Sequence, residues 1–358
     1  MQLPDLTSEL ALGKELPPVA INHAVEALLD PILEVERKAE FLGALTAKGE
    51  TAGEIAGFAL ALRRHALPVR NTDDWWLHSD VLDVCGTGGD RLNTFNISTT
   101  VALVCAAAGV VVAKHGNRAI TSQSGSADVL EALGIRTDLL PAEAARWLRD
   151  YRFAFLFAPH FHPGFRHIGP ARKLCAQRGQ RTIFNLLGPL LNPALPTVQL
   201  VGISSPHLTQ AIAEALQQIG IRRAMVVSGM AGSTSEAGWF DELSTLGENQ
   251  ISEFYQDRAI NSSIWHAHDL PLQSSSLEHL AGGDKIVNAR IVEAILRGHE
   301  RGPKRDAVLL NAGAALMLAG RARTIGDGWE IARETLESGL AGAKLDQLRQ
   351  AASTSMGQ

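Results

Sequence analysis

Residues Asp80 to Asp90 read DVLDVCGTGGD, and this stretch decides how the chain folds. Asp80 to Cys85 has the length and composition of a short buried strand, and Gly86-Thr87-Gly88-Gly89-Asp90 closes it. Glycines at a strand end allow positive φ and let backbone N–H groups approach an anion with no Cβ in the way. Further on, Asn93 to Thr99 (NTFNIST) leads into an alanine-rich helix predicted over Ile97 to Ala108. Ser98 and Thr99 then fall in the first helical turn, where free N–H groups and the helix dipole favour a phosphate. Neither G-x-x-x-x-G-K-[ST] nor G-x-G-x-x-G is present. Read alone, a tight turn with Asn96 as an N-cap, binding nothing, explains the loop equally well.

Moving outward, Val110 to Ala113 (VVVA) predicts a second strand, ending in a polar loop, Lys114-His115-Gly116-Asn117-Arg118. Ser122, Ser124, Gly125 and Ser126 follow. In an open α/β sheet the loops at the carboxyl ends of the strands line the ligand crevice. A lone Lys or His is usually surface or structural, but two such loops on neighbouring strands suggest a ligand with several phosphates. Phe153 to Phe157, Val198 to Ile203 and Ala224 to Val227 are further short apolar runs between helical stretches. Strands alternating with helices predict a mixed, mostly parallel sheet covered on both faces. Asp241-Glu242 follows Gly238-Trp239-Phe240 in a loop. Beside a polyphosphate such a pair would hold Mg²⁺, which takes oxygen ligands and substrate phosphates; by itself it reads as an ordinary exposed acidic pair.

The first seventy residues read as helices. Ala39, Leu42 and Leu45 follow helical spacing from Val35, and Gly49 falls where a left-handed C-cap belongs. Thr51 and Glu54 form a T-x-x-E capping box ahead of the stripe Ile55, Phe58, Ala59 and Leu62. The apolar faces of this hairpin need a partner, from the rest of the chain or a second subunit. Val69 to Ser79 reads as a connector, in which Trp75-Trp76 is expected to pack a hinge. Helices return from Ile286 to Leu348, including Ala307 to Gly320. The chain thus reads as a helical domain followed by a larger α/β domain.

Composition sets the outer bounds. The chain has 358 residues, 46% hydrophobic and 20% charged, as in ordinary globular proteins. No apolar run approaches the roughly 18 to 20 residues of a membrane span, and the N-terminus lacks the pattern of a signal peptide. Three cysteines without C-x-x-C spacing suit a reducing cytoplasm. A net charge of −5 argues against a general nucleic-acid binder. His160-x-His162 and His266-x-His268 have no third ligand at useful spacing, so both read as structural or surface pairs.

GTGGD, NTFNIST, KHGNRAITSQSGSADVLEALG, RTIFNLLGPLLNP, FDELS and GPKRDAVLLNA occur in the order seen in anthranilate phosphoribosyltransferases. The resemblance runs from about Leu10 to Leu348. It implies a small helical domain over 1–73 that also takes in a mid-chain segment at about 174–197, beside a larger α/β domain over 78–173 and 198–358, a homodimer formed through the helical domains, and Mg²⁺ as cofactor. It also implies transfer of the phosphoribosyl group of phosphoribosyl pyrophosphate (PRPP) to anthranilate. By motif, the donor would be held by Gly86, Gly89, Asp90, Thr94, Asn96, Ile97, Ser98 and Thr99. The second loop would add Lys114, His115, Gly116, Asn117, Arg118, Ala119, Ile120, Thr121, Ser122 and Ser126. Ser98, Asp241 and Glu242 match the family's metal positions, and Gly86, Asn117, His162 and Arg172 its anthranilate contacts. Lys114, Asn117 and Arg172 would carry the chemistry, Arg172 pairing with the acceptor carboxylate. Between Arg172 and Arg181, KLCAQRGQ is longer than the family pattern. Two rivals share the fold: a pyrimidine nucleoside phosphorylase, which KHGNR and the acidic pair disfavour, and a nucleic-acid-binding relative, which the acidic charge disfavours.

Overall fold

The computed structural model describes residues 2–69, 79–119 and 123–355, so Trp75, Trp76, Ile120, Thr121 and Ser122 lie outside the described residues. Its centre is one sheet: β1 (Val81–Gly86), β2 (Val111–Gly116), β3 (Phe153–Phe157), β4 (Val198–Gly202), β5 (Arg223–Met230), β6 (Trp239–Phe240), β7 (Asn249–Tyr255) and β8 (Asn261–Trp265). The strand order is β3-β2-β1-β4-β5-β7-β8, with β6 beside β5. From β3 to β5 all pairs are parallel, and β6, β7 and β8 join antiparallel. The carboxyl ends of β1, β2 and β4 therefore open on one edge.

The period of two along the strands divides the interior. Met225 and Val227 of β5 enter one core, while Ala224 and Val226 enter the other. The first core is covered by α5 (Ile97–Ala107), α11 (Pro303–Leu318) and α13 (Leu340–Ser355), with Val104, Leu309 and Leu345 fully buried. The second face carries α9 (Thr209–Gln218) and then the N-terminal helices: α1 (Leu3–Ala11), α2 (Pro18–Leu29), α3 (Val35–Lys48) and α4 (Ala52–Arg63). Ile168 and Ala171, at the start of α8 (Gly169–Gln177), and Phe184 to Leu191 share that second core. The helices are thus a layer on the sheet whose core runs on into the strands.

Local signals act as read. Thr51 Oγ1 accepts from the Glu54 N–H at 3.3 Å, and Glu54 Oε2 accepts from the Thr51 N–H at 3.0 Å. Such a cap contributes about 1 kcal/mol. Glu54 is also buried, accepting from the Leu16 N–H at 3.0 Å and from Lys48 Nζ at 2.7 Å, so one carboxylate fixes three pieces of chain. Gly49 ends α3 with φ +90°, outside the range most side chains adopt. The sequence falls short in two places. β2 runs on through Lys114 and His115, read above as loop, because each pairs with β3 (Phe155, Leu156) and finds polar partners inside the sheet. β7 and β8 carry interspersed polar residues on an antiparallel edge, which hid their period. The KLCAQRGQ segment continues α8 to Gln177 and turns at Gly179 (φ +71°), and Arg181 then pairs with Glu50 at 2.8 Å.

Candidate active site

A cavity of about 350 Å³ opens at the carboxyl ends of β1 and β2. Two other surface hollows, beside Tyr255 and beside Ser338, are of similar size, so volume does not single this one out. Convergence of polar groups does.

The first wall, expected above to hold the donor, is the first loop with its helix. A Cβ on Gly86 or on Gly202, the last residues of β1 and β4, would collide with Asp241, so the acidic loop can lie across both strand ends. Gly88 (φ +71°) donates its N–H to Asp241 Oδ2 at 2.7 Å, and Gly89 has φ +83°. The helix N-terminus is occupied too: the Ser98 N–H donates to Glu242 Oε1 at 3.1 Å. The chain's own carboxylates therefore take one N–H of each motif, that of Gly88 and that of Ser98. Lys114 is buried beneath them, donating to Val84 O at 2.6 Å and Ser98 Oγ at 3.3 Å. Burial, then the neighbouring Asp241, push Asp90 up to about 7, and the same two causes push Glu242 up to about 8. Asp241 is raised by burial. Such crowded carboxylates favour a cation among them. Among the described residues no group of three or more His, Cys, Asp or Glu side chains is arranged to hold an ion unaided. Two carboxylates completed by substrate phosphates is the usual arrangement for Mg²⁺.

The remaining donor motif residues divide between lining and support. Thr94, Asn96, Ile97, Gly116, Asn117, Ala119 and Ser126 line the cavity. Asn96 also braces it, donating to Ser124 O at 3.2 Å and accepting from Asn288 Nδ2 at 2.8 Å. Thr99 does not line the cavity; it is buried below, donating to Ser126 Oγ at 3.2 Å. Arg118 reaches the rim, yet its guanidinium is committed to Glu131 at 2.5 Å and Asp128 at 3.2 Å.

The opposite wall, expected above to hold the acceptor, comes from the helical layer. Arg172 of α8 is half-buried on the cavity with Phe184 and Asn185, its guanidinium 5.4 Å from the Phe184 ring centre. Burial alone lowers its pKa, and among the described residues no carboxylate pairs with it. His162 requires a correction to its expected place. It does not line the cavity but is buried behind His115, with ring centres 5.3 Å apart, and stacks on Phe165. Burial pushes His115 down to about 3 and His162 to about 4, so both rings are neutral. His115 Nδ1 lies 3.2 Å from Gly188 O, which can only accept, so Nδ1 carries the proton.

Sequence reading missed Asp83. This β1 carboxylate is fully buried below the cavity and accepts from Asn192 Nδ2 at 2.8 Å and from the His115 N–H at 3.3 Å. Burial pushes it up to about 6, opposed by Lys114 and its hydrogen bonds. The signal was available as a charged residue inside a buried strand, but its partners lie far along the chain.

Two family models match: "Glycosyl transferase family, helical bundle domain" over residues 4–66 and "Glycosyl transferase family, a/b domain" over 78–342. The anthranilate phosphoribosyltransferase of Symbiobacterium thermophilum is 43% identical over 345 residues, 96% of each chain. The chain belongs to the anthranilate phosphoribosyltransferase family. The Thermus thermophilus anthranilate phosphoribosyltransferase structure superposes with a TM-score of 0.86 at 38% identity, covering 98% of this chain and 99% of that one. The Saccharomyces cerevisiae anthranilate phosphoribosyltransferase in complex with PRPP and Mg gives 0.85 at 28% identity, covering 98% of both chains. The same yeast enzyme in complex with 4-fluoroanthranilate gives 0.83 at 26%, again covering 98% of both.

Proposed function

We propose that the chain transfers the phosphoribosyl group of PRPP to anthranilate, giving N-(5-phosphoribosyl)anthranilate and pyrophosphate in tryptophan biosynthesis. The observation that carries this reading is one cavity with two unlike walls: loops and half-buried carboxylates on the donor side, and on the other a half-buried Arg172 with no acidic partner among the described residues. A planar guanidinium fork matches a carboxylate bidentately, and that of Arg172 lies over the Phe184 ring.

The aromatic amine is neutral at pH 7, so the site need not create a nucleophile. The work is positional and electrostatic. The backbone of the first loop and the hydroxyls of Ser98 and Ser126 hold the donor. Asp241 and Glu242, with Ser98, would hold Mg²⁺, which when bound neutralises pyrophosphate charge. Lys114 adds a cation on the side where negative charge grows as the C–O bond breaks. Arg172 and Asn117 orient anthranilate so that its amine faces the ribose. No described helix is long and apolar enough to cross a membrane, and a cytoplasmic enzyme suits the three free thiols. Leu12, Val19 and Ile32 stand 66–88% exposed in the helical layer and support a homodimer through that layer.

The test is direct. Incubated with anthranilate, PRPP and Mg²⁺, the protein consumes anthranilate, followed by the loss of its fluorescence. Absence of turnover, or phosphate-dependent release of uracil or thymine from a nucleoside, overturns the reading. Light scattering tests the dimer, and cell fractionation the compartment.

A further inference from the structure

We propose that Asp83 is a positioning residue that holds the acceptor wall in register with the donor wall. The inference rests on the transferase reading above and assigns a role to a residue that touches neither substrate.

Asp83 sits on β1 below the first loop, where the sheet meets the helical layer. Its Oδ1 accepts from the His115 N–H at 3.3 Å, gripping the strand that carries Lys114 and leads to Asn117. Its Oδ2 accepts from Asn192 Nδ2 at 2.8 Å and, more weakly, from Gln199 Nε2 at 3.5 Å. Both amides are shared. Asn192 Nδ2 also donates to Ala113 O at 2.7 Å, and Gln199 Nε2 to Pro189 O at 2.9 Å. His115 Nδ1 reaches Gly188 O at 3.2 Å, and Arg63, at the end of α4, donates from Nε to Leu190 O at 2.6 Å. The segment 188–192 is thus tied to the sheet at Gly188, Pro189 and Asn192 and to α4 at Leu190, with one carboxylate among the sheet ties.

That segment continues directly from the helical turn Phe184–Leu187, whose Phe184 and Asn185 form the acceptor wall and support Arg172. Hydrogen bonds through Asp83 therefore join the strand carrying Lys114 to Asn192, and the backbone from 192 back to Phe184 carries the link on to the wall holding Arg172. Burying a carboxylate is costly unless it is fully partnered, and apolar side chains would fill the same space more cheaply. What the carboxylate adds is geometry. It supplies acceptors in fixed directions for donors from two layers, so sliding one wall against the other breaks hydrogen bonds. Arg63 and Lys114 supply compensating charge.

The test separates the two substrates. Asp83→Asn keeps shape but sets an amide against the Asn192 amide; Asn192→Ser shortens the tie from the other side. With the acceptor wall loosened, the anthranilate KM rises about tenfold in each folded variant, while the PRPP KM stays within about twofold. Because both act on one path, the double variant shows no larger effect than the stronger single one. Equal changes in both KM values, or a lowered Tm with both KM values unchanged, would mean that Asp83 serves stability alone. If Asp83→Asn fails to fold, Asn192→Ser carries the same expectation; unfolded protein from both overturns the proposal. The wild type in the same assay keeps the two readings apart, since loss of the functional reading shows as no turnover there.

Discussion

The two walls of the cavity are built in opposite ways. The donor wall is made of contiguous motifs: Gly86 to Asp90, Thr94 to Ser98 and Gly116 to Ala119 each reach the cavity by local turns at strand ends or a helix start. The acceptor wall comes from two successive helical segments, Arg172 on one and Phe184 and Asn185 on the next, brought forward by packing on the other face of the sheet. A wall formed by local turns is rigid by itself. One formed by layer packing is only as well placed as the seam beneath it, and here the seam is a buried polar cluster around Asp83.

The largest expected effect would break the donor wall. Asp241→Asn with Glu242→Gln leaves no acidic pair on the helix N-terminus and Gly88, and turnover is expected to fall to background. Wild type in EDTA should match the double variant, and full activity in either sinks the metal assignment. Lys114→Ala comes next, with kcat expected to fall by about 10²-fold, as for loss of one charge-stabilising donor. The PRPP KM should rise less and the anthranilate KM barely change. A change confined to the PRPP KM would make Lys114 a uniform binding residue.

On the acceptor wall, Arg172→Ala should raise the anthranilate KM by about one to two decades, since a charged hydrogen-bond partner is worth about 1.5–3 kcal/mol. Lysine does not substitute, because it lacks the planar fork. Equal loss of affinity for both substrates would merge the two walls into one. The acceptor side should also show a distinct acid lability. His162 is held near 4 by burial, below its ordinary value of 6.5, so between those values the unfolded chain binds the proton and the folded chain does not. Stability from this group is complete above pH 6.5 and declines as pH falls toward 4. The difference in Tm between wild type and His162→Leu, measured from pH 7.5 to 5, should shift in favour of the variant as pH falls. The smallest effect is expected beneath the donor wall. Thr99→Val loses the bond to Ser126 and should cost about 1 kcal/mol of stability, read by denaturant titration, with little change in either KM.

Legibility followed the same division. The T-x-x-E box, the strand at Val81 and the helix from Ile97 are all short-range features, and their expected bounds differ from the observed ones by a residue or so. Lys114 and His115 were misread as loop because polar residues normally end a buried strand; only their partners, Val84 O, Ser98 and Gly188 O, make them acceptable inside one. Arg118 shows the converse. It is an exposed cation in a binding motif, and Glu131 and Asp128 from the next helix occupy it. His162 lies in a recognisable segment, yet which way it faces depends on packing against His115 and Phe165.

By itself, then, the sequence determined the alternation of strands and helices, the phosphate-type loops and the membership of the family, because these depend on residue type within a few positions. The tertiary structure alone decided that Asp241 and Glu242 take the Gly88 and Ser98 N–H groups, that Arg172 faces the cavity with no acidic partner among the described residues, and that Asp83 lies at the seam. Each of these is a contact between elements more than a hundred residues apart or in different layers, and its energy depends on burial. A carboxylate in water is indifferent to its neighbours' order in the chain; in a dry interior its partners settle whether it can exist there at all.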